Sequence, residues 1–389
     1  MMKKMLLKAV GCIGLSAGLI GGVHAQEVFK IGLVLPLTGP FSSIGKQAEL
    51  GARLYLSEHA DKVAGKKVEV ILKDDTSVTD VSRRLTQDLV VNDKVDALAG
   101  FLVTPAALAA AAVATKAKVP MVTMNGASSS VTRASPFVLR SSFTVAQAAV
   151  GVAEWAPKNG ITKVVTLVSD YAPGADAEKY FSERFTAAGG QVLEKLRVPL
   201  QSPDFAPFLQ KARDLKPDAL FVFVPAGANA ALMKQFVERG MDKAGIRLIG
   251  TGDITDDDIV NSMGDVALGV ITSHHYSVAH DSPENRKFVE AFKKANNGLR
   301  PNFMALQGYD GMRMIFEGAE VSKGQGGEAL LKAMKSLTFE SPRGPFKIDT
   351  DTRELIQNIY IRKVEKVDGE LYNIEFETIK DVKDPVVAK

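Results

Sequence analysis

The chain has 389 residues, 46% of them apolar and 24% charged, with one cysteine and a formal net charge of +3. Lys3, Lys4 and Lys8 account for that whole excess, since without them 45 basic residues face 45 acidic ones. A balance of this kind excludes a basic surface for nucleic acid, and the apolar share excludes a disordered chain.

The first segment reads as an address. Lys3, Lys4 and Lys8 flank an apolar, small-residue stretch at 5–22, and Val23-His24-Ala25 ends it in the pattern of a signal peptidase site. Residues 1–25 are therefore expected to be a signal peptide cleaved after Ala25, which marks the protein for export. The rival, a membrane anchor, is opposed by Lys8, by the glycines and by the missing stop-transfer flank. Acylation at Cys12 would need a longer apolar segment before it. With Cys12 removed, the mature chain of about 360 residues must rest on hydrophobic packing without disulfides, and that size predicts two lobes.

From there apolar runs alternate with helical periodicity. Strands are expected at 29–35, 68–72, 95–101 and 119–124, with helices at 44–59 and 79–92 and an alanine-rich one from Thr104-Pro105. The alternation repeats with strands at 164–168, 191–198, 219–224, 247–250 and 270–273. Helices fall at 175–188, 205–214, 228–239, 283–296 and 305–322. After Gly344 the texture changes to period-two alternation at 346–348, 356–364 and 371–378, an antiparallel meander. Such alternation predicts βαβ units on mainly parallel sheets: an α/β protein of two Rossmann-like halves with a late β excursion.

Two successive strand-to-helix turns draw attention. One ends at Thr104-Pro105, the other at Asn125-Gly126-Ala127 followed by Ser128, Ser129 and Ser130. On adjacent parallel strands both turns would reach one sheet edge, where free N–H groups and hydroxyls converge on a small anion. The plainer reading is two capped helix starts.

The run FKIGLVLPLTGPFSSIGKQAELGARLYLSE, with VEVILKDDTSV, GFLVTPAALAAAAVATKAKVPMVT, FVLRSSFT, KPDALFVFVPAGANAALMKQF, IRLIGTGDITDDDIV and ALQGYDGM, resembles the periplasmic branched-chain amino-acid-binding family. These are solute receptors of ABC importers, and the likeness spans essentially the mature chain. It implies the type I periplasmic-binding-protein fold, two lobes joined by a three-segment hinge with the ligand between them. Crossovers are then expected near Phe143-Thr144, His274-Tyr276 and Ile348-Thr352. Lobe one would comprise 26–143 plus 276–350, and lobe two 144–275 plus 351–389. A disulfide common among relatives would fall near Ser77 and Val103 and is absent.

The resemblance also implies site residues. In lobe one the ligand carboxylate would meet Thr104 with Leu102 beside it, and the turn Asn125, Ala127 and Ser128, while Ser43 and Ile44 wall the pocket. Ile44 stands where amino-acid binders often place a tyrosine. Lobe two would add Tyr171 from an exposed loop, Ala226 in the Pro225-Ala226-Gly227 turn, and Gly252 with Asp253. Gly252 is expected at the place of the acid that pairs an α-ammonium, with Asp253 displaced by one residue. Tyr276 is the side chain of the hinge segment expected to reach the cleft.

Other chemistries find less support. His274-His275-Tyr276 lacks further ligands at metal spacing, and Asp256-Asp257-Asp258 reads as an acidic helix start rather than a calcium loop. Asp74-Asp75 reads as an Asx-type turn. An exported hydrolase using Asp74 or Asp253 has no nucleophile elbow, and a sensing ectodomain would need a second span or an output domain. The expectation is a receptor without catalysis, cofactor or metal, a monomer that passes a small carboxylate to an inner-membrane ABC permease. An aromatic acid leads because the ammonium's partner looks displaced; leucine, isoleucine, valine or a similar amino acid is the alternative.

Overall fold

The computed structural model describes residues 27–59, 62–201 and 204–386, so the expected signal peptide and cleavage site lie outside the described residues. The first section of chain runs β1 (Val28–Leu35), α1 (Ser42–Glu58), β2 (Lys62–Val63), β3 (Lys66–Asp74), α2 (Thr79–Asp88), β4 (Ala97–Gly100), α3 (Thr104–Ala117), β5 (Met121–Thr123), α4 (Ser130–Arg133) and β6 (Val138–Arg140). These strands form one six-stranded sheet in the order β2-β3-β1-β4-β5-β6, parallel except where β2 folds back on β3. Residues 31 and 33–35 of β1 are buried, because helices cover both faces of a parallel sheet and leave no polar side.

The second section runs α5 (Val145–Lys158), β7 (Lys163–Ser169), α6 (Ala172–Ala187), β8 (Gln191–Val198), α7 (Ala206–Asp214), β9 (Ala219–Phe223), α8 (Asn229–Glu238), β10 (Arg247–Thr251), α9 (Val260–Met263) and β11 (Ile271–His274). The chain ends with α10 (Pro283–Ala295), α11 (Phe303–Val321), α12 (Gly327–Lys335), β12 (Thr338–Ser341), β13 (Gly344–Ile348), β14 (Leu355–Val367) and β15 (Glu370–Val382). The second sheet orders nine strands as β12-β13-β14-β11-β10-β9-β7-β8, with β15 on β14. Strands β7 to β11 are parallel, and β14 joins them antiparallel through pairs such as Ser273 with Ile361. The late β segment is thus not a separate excursion but an edge of the second sheet. Two lobes with mainly parallel sheets and three connecting passages make this the type I periplasmic-binding-protein fold.

Helices α10 and α11 return to the first sheet and pack on α1. A Cβ on Gly51 would collide with the Ala305 carbonyl, and one on Gly308 with that of Ala48, so α1 and α11 meet backbone to backbone. The passages between lobes are tied to one another. Gln147 Nε2 donates to the carbonyls of Leu355 and Val382 (both 2.9 Å), and Gln357 Nε2 donates to Ser142 O (3.1 Å). The buried pair Arg343–Asp310 (2.7 Å) also holds Ser141 O (2.9 Å). His275 stacks on Phe143, with ring centroids 4.5 Å apart.

Helix α5 carried no expectation, because it is buried nearly all round and shows no polar stripe to mark its period. Helix α6 begins at Ala172, three residues before the expected 175, which places Tyr171 at its N-cap instead of in an exposed loop. The triplet Asp256-Asp257-Asp258 is not an acidic helix start. Asp256 and Asp257 are buried, accepting from Asn302 Nδ2 (2.9 Å) and Asn373 Nδ2 (2.7 Å), and only the four-residue α9 follows. The Asx turn does form: Asp74 Oδ1 accepts from Thr76 N (2.8 Å) and Asp75 Oδ1 from Ser77 N (2.9 Å).

Candidate functional site

The pairing of Gly100 with Thr123 in β4 and β5 brings the two strand-to-helix turns of the first sheet side by side. After β4 the chain turns sharply at Gly100 (φ 103°) and Phe101 (φ 55°), and α3 starts at Thr104 with Pro105 in its first turn. Gly100 has no room for a side chain, since a Cβ would run into the Val34 carbonyl. After β5, Gly126 N and Asn125 Nδ2 both donate to Leu102 O (2.8 and 2.9 Å), and Ser128 N donates to Thr104 Oγ1 (3.3 Å). Because Thr104 Oγ1 accepts there, its own proton is left to point elsewhere. The turns are stitched into one surface of N–H groups and hydroxyls at a helix N-terminus, the electrostatic setting of an anion site.

The second sheet faces this surface with three of its own strand ends. Tyr171 and Pro173 follow β7, Phe223 ends β9 with Pro225 just after it, and Asp253 follows β10. The rings of Tyr171 and Phe223 lie nearly parallel, 16° between planes and 6.1 Å between centroids. Asp253 is buried and accepts from Thr251 Oγ1 at 2.8 Å, while His274 Nε2 stands 4.0 Å from the same oxygen. Burial pushes its pKa up to about 6, with the Thr251 bond and the Arg362 charge opposing the shift. Burial, reinforced by Asp253, likewise raises the Tyr171 phenol.

Between the two surfaces lies a cleft of about 420 Å³ of atom-free space, its open mouth included. Its walls are Phe41, Ile44, Leu102, Val103, Tyr171, Pro173, Phe223, Pro225, Ala226 and Met304; the polar residues are Thr104, Asn125 and Asp253, with Ala127 beside them. No lysine, arginine or histidine lines it among the described residues. Among the described residues, Asn125 Oδ1 is buried without a donor. No group of three or more His, Cys, Asp or Glu is placed to hold a metal among the described residues.

Of the residues expected from the sequence, Ile44, Leu102, Thr104, Asn125, Ala127, Tyr171, Ala226 and Asp253 meet at this cleft. Four others do not. Ser43 lies in an adjoining groove with Asp258 and Asn302. Ser128 turns its hydroxyl to Asp176 Oδ2 on α6 (2.6 Å), a bond from one lobe to the other. Gly252 packs against Arg362 and His274, so its open side faces the hinge. Tyr276 is fully buried and donates to Asn285 Oδ1 (2.9 Å), held away from the cleft by the start of α10. Asp253, one residue beyond Gly252, itself lines the cleft. Phe41, Val103, Pro173 and Met304 went unforeseen. Phe41 and Val103 adjoin turns already singled out, whereas Met304 sits on α11, far along the chain with no local signal.

The chain is similar to several known proteins along nearly its whole described length. A family model described as periplasmic binding protein matches residues 28–370. A Brucella abortus (strain 2308) protein called Leu/Ile/Val-binding protein homolog 6 is 41% identical over 389 residues, covering 99% of each chain. Among solved structures, a solute-binding protein of an ABC transporter from Rhodopseudomonas palustris BisB5, in complex with 3,4-dihydroxybenzoic acid, is 57% identical with a TM-score of 0.91, covering 93% of this chain and 99% of that one. Another, from Rhodopseudomonas palustris HaA2 in complex with p-hydroxybenzoic acid, is 39% identical with a TM-score of 0.90, covering 93% and 100%.

Proposed function

The chain belongs to the periplasmic binding protein family, as a solute-binding protein of an ABC transporter, and from that premise we propose that its ligand is a ring-hydroxylated aromatic carboxylate. The observation that carries the reading is the distribution of polarity in the cleft. Donors gather at the lobe-one end, a single carboxyl stands in lobe two, and apolar or aromatic side chains line the walls. The ligand carboxylate accepts from the Thr104 hydroxyl and from turn N–H groups, charge-assisted bonds at a helix start. A ring hydroxyl at the far side donates to Asp253, whose elevated pKa leaves a strong acceptor near neutral pH. The likeness to proteins in complex with 3,4-dihydroxybenzoic and p-hydroxybenzoic acid supports this choice.

The same carboxyl favours a second reading, a branched-chain or similar amino acid whose ammonium pairs with Asp253. Leu/Ile/Val-binding protein homologues among the relatives speak for it. In either case the protein acts as a monomeric receptor, not an enzyme. Lobe one would be 26–143 plus 276–350 and lobe two 144–275 plus 351–389, closing over the ligand and docking on the permease. The mature chain would start at Gln26 after cleavage behind Ala25.

Thermal unfolding of protein freed of carried-over ligand tests the assignment. A ligand at a thousandfold excess over its dissociation constant stabilises by about 4 kcal/mol. 4-Hydroxybenzoate and 3,4-dihydroxybenzoate are expected to raise the melting temperature most, benzoate less, and leucine least. A shift with leucine or valine and none with any aromatic acid would overturn the aromatic reading.

A further inference from the structure

Below the Asn125–Ser128 turn lies a guanidinium that reaches no part of the cleft surface. Arg140, at the end of β6, is fully buried. Its Nη1 donates to the carbonyls of Asn125 and Gly126, the latter at 2.8 Å, and its Nη2 donates to the carbonyl of Ser128 at 2.9 Å. Its Nε donates to Glu354, which also accepts from the Thr132 hydroxyl and stands where the third passage enters β14. The remaining carbonyl of the turn, that of Ala127, accepts from Val145 N (2.9 Å) at the start of α5. Every carbonyl from residue 125 to 128 is thus engaged by Arg140 or by α5.

A trans peptide is planar, and each N–H points opposite to the carbonyl of the preceding residue. Drawing the Gly126 carbonyl onto the guanidinium turns the Ala127 N–H the other way, toward the cleft that Ala127 lines. Holding the Ala127 carbonyl on Val145 turns the Ser128 N–H onto Thr104 Oγ1, which frees the Thr104 proton for a ligand. Among the described residues, no group accepts from the Ala127 N–H.

We propose that Arg140 is the positioning residue of the carboxylate site: it touches no ligand, but by gathering the carbonyls of Asn125, Gly126 and Ser128 it aims the Ala127 N–H at the anion, beside the Thr104 hydroxyl that the Val145 bond to the Ala127 carbonyl leaves free. This rests on the reading that lobe one holds the ligand's carboxylate. The task suits arginine, whose rigid planar fork offers several donors at fixed angles; a lysine ammonium cannot span three carbonyls and a carboxylate. Glu354 fixes the plane of the fork and joins it to the hinge strand.

Calorimetric titration with 4-hydroxybenzoate and its neutral isostere 4-hydroxybenzamide separates positioning from scaffolding. Arg140→Gln is expected to lower the ratio of acid to amide affinity about tenfold, the difference between a charge-assisted and a neutral hydrogen bond. Arg140→Lys should fall between. Equal weakening of both ligands, with the ratio kept, would make Arg140 a scaffold only and overturn the proposal. Should Arg140→Gln fail to fold, the wild-type protein still decides. Saturation with 4-hydroxybenzoate should move the Ala127 amide proton downfield by more than that of Gly126, whose N–H is already engaged by Leu102. An unmoved Ala127 amide overturns the proposal. If the wild type ignores aromatic acids but takes leucine, the aromatic reading falls, and leucine against leucinamide repeats the comparison. A wild type that binds no carboxylate overturns both.

Discussion

Lobe one meets the cleft with backbone N–H groups and one hydroxyl on turns stitched together by Leu102 O and Thr104 Oγ1, under an apolar rim of Phe41, Ile44 and Met304. Lobe two meets it with side chains: the Tyr171 and Phe223 rings, two prolines and the buried Asp253 carboxyl. On the proposed reading the first arrangement recognises a carboxylate of almost any acid, because backbone donors read charge and position but not the rest of the molecule. The second reads what that carboxylate is attached to. A family can therefore change ligand by exchanging side chains in lobe two while leaving the turns of lobe one as they are.

The largest effect should come from lobe one. Thr104→Val removes the hydroxyl and leaves the Ser128 N–H without its acceptor, a loss of about 2–3 kcal/mol in binding. Calorimetry should show the same loss for benzoate and for 4-hydroxybenzoate. A loss confined to hydroxylated acids would reverse the roles given to the two lobes.

Asp253→Asn should be selective. It should weaken hydroxylated acids by about 1.5–2 kcal/mol, the value of a hydrogen bond to a charged group, and spare benzoate. It also carries a stability consequence with a definite sign. The folded pKa, about 6, lies above the ordinary aspartate value of 3.8, so the ionised carboxyl destabilises the folded form fully above pH 6. That penalty is relieved as pH falls through 6 toward 3.8, and two pKa units correspond to about 3 kcal/mol. Asp253→Asn should therefore raise the melting temperature at pH 8 and hardly at all at pH 4; equal effects at both would mean the carboxyl is not buried in solution.

The smallest effect belongs to the bond between the lobes. Ser128→Ala removes the donor to Asp176 and should weaken every ligand by about 1 kcal/mol or less, through a less favoured closed state. Small-angle scattering should show the radius of gyration of the wild type falling on ligand addition, and Ser128→Ala needing more ligand for the same change. A loss for one ligand class only would return Ser128 to the ligand-contacting set.

The alternation of strands and helices was legible because strands buried on both faces, such as 164–168 and 219–223, stand out as apolar runs between longer amphipathic stretches. α5 was not, since a helix buried nearly all round has no face to give its period away. At the site, the two lobe-one turns were readable from Thr104-Pro105 and Asn125-Gly126-Ala127, where special residues mark special backbone. Where each hydroxyl points was not. Ser128 sits in the expected turn yet turns to Asp176, because the second lobe supplies a carboxylate that no local pattern reveals. Tyr276 likewise belongs to the hinge but is claimed by Asn285. Met304 enters from a helix that returns to lobe one only after the whole second sheet has been laid down.

That late return also sets the order in which the molecule can be assembled. α1 ends at Glu58, yet the helix that presses on Gly51 and Ala48 begins only at Phe303. A chain emerging N-terminus first has β1 to β6 in hand long before their cover arrives. Contacts of such long sequence separation form slowly, since the loop between them must close first. The strands β7 to β11 are contiguous and can condense as a unit while the first sheet still shows an apolar helix face to solvent. The turns at Thr104 and Asn125–Ser128, made early, therefore lie in a lobe whose last helices are made late. The interval is the molecule's window of exposure to aggregation, proteolysis or a holdase.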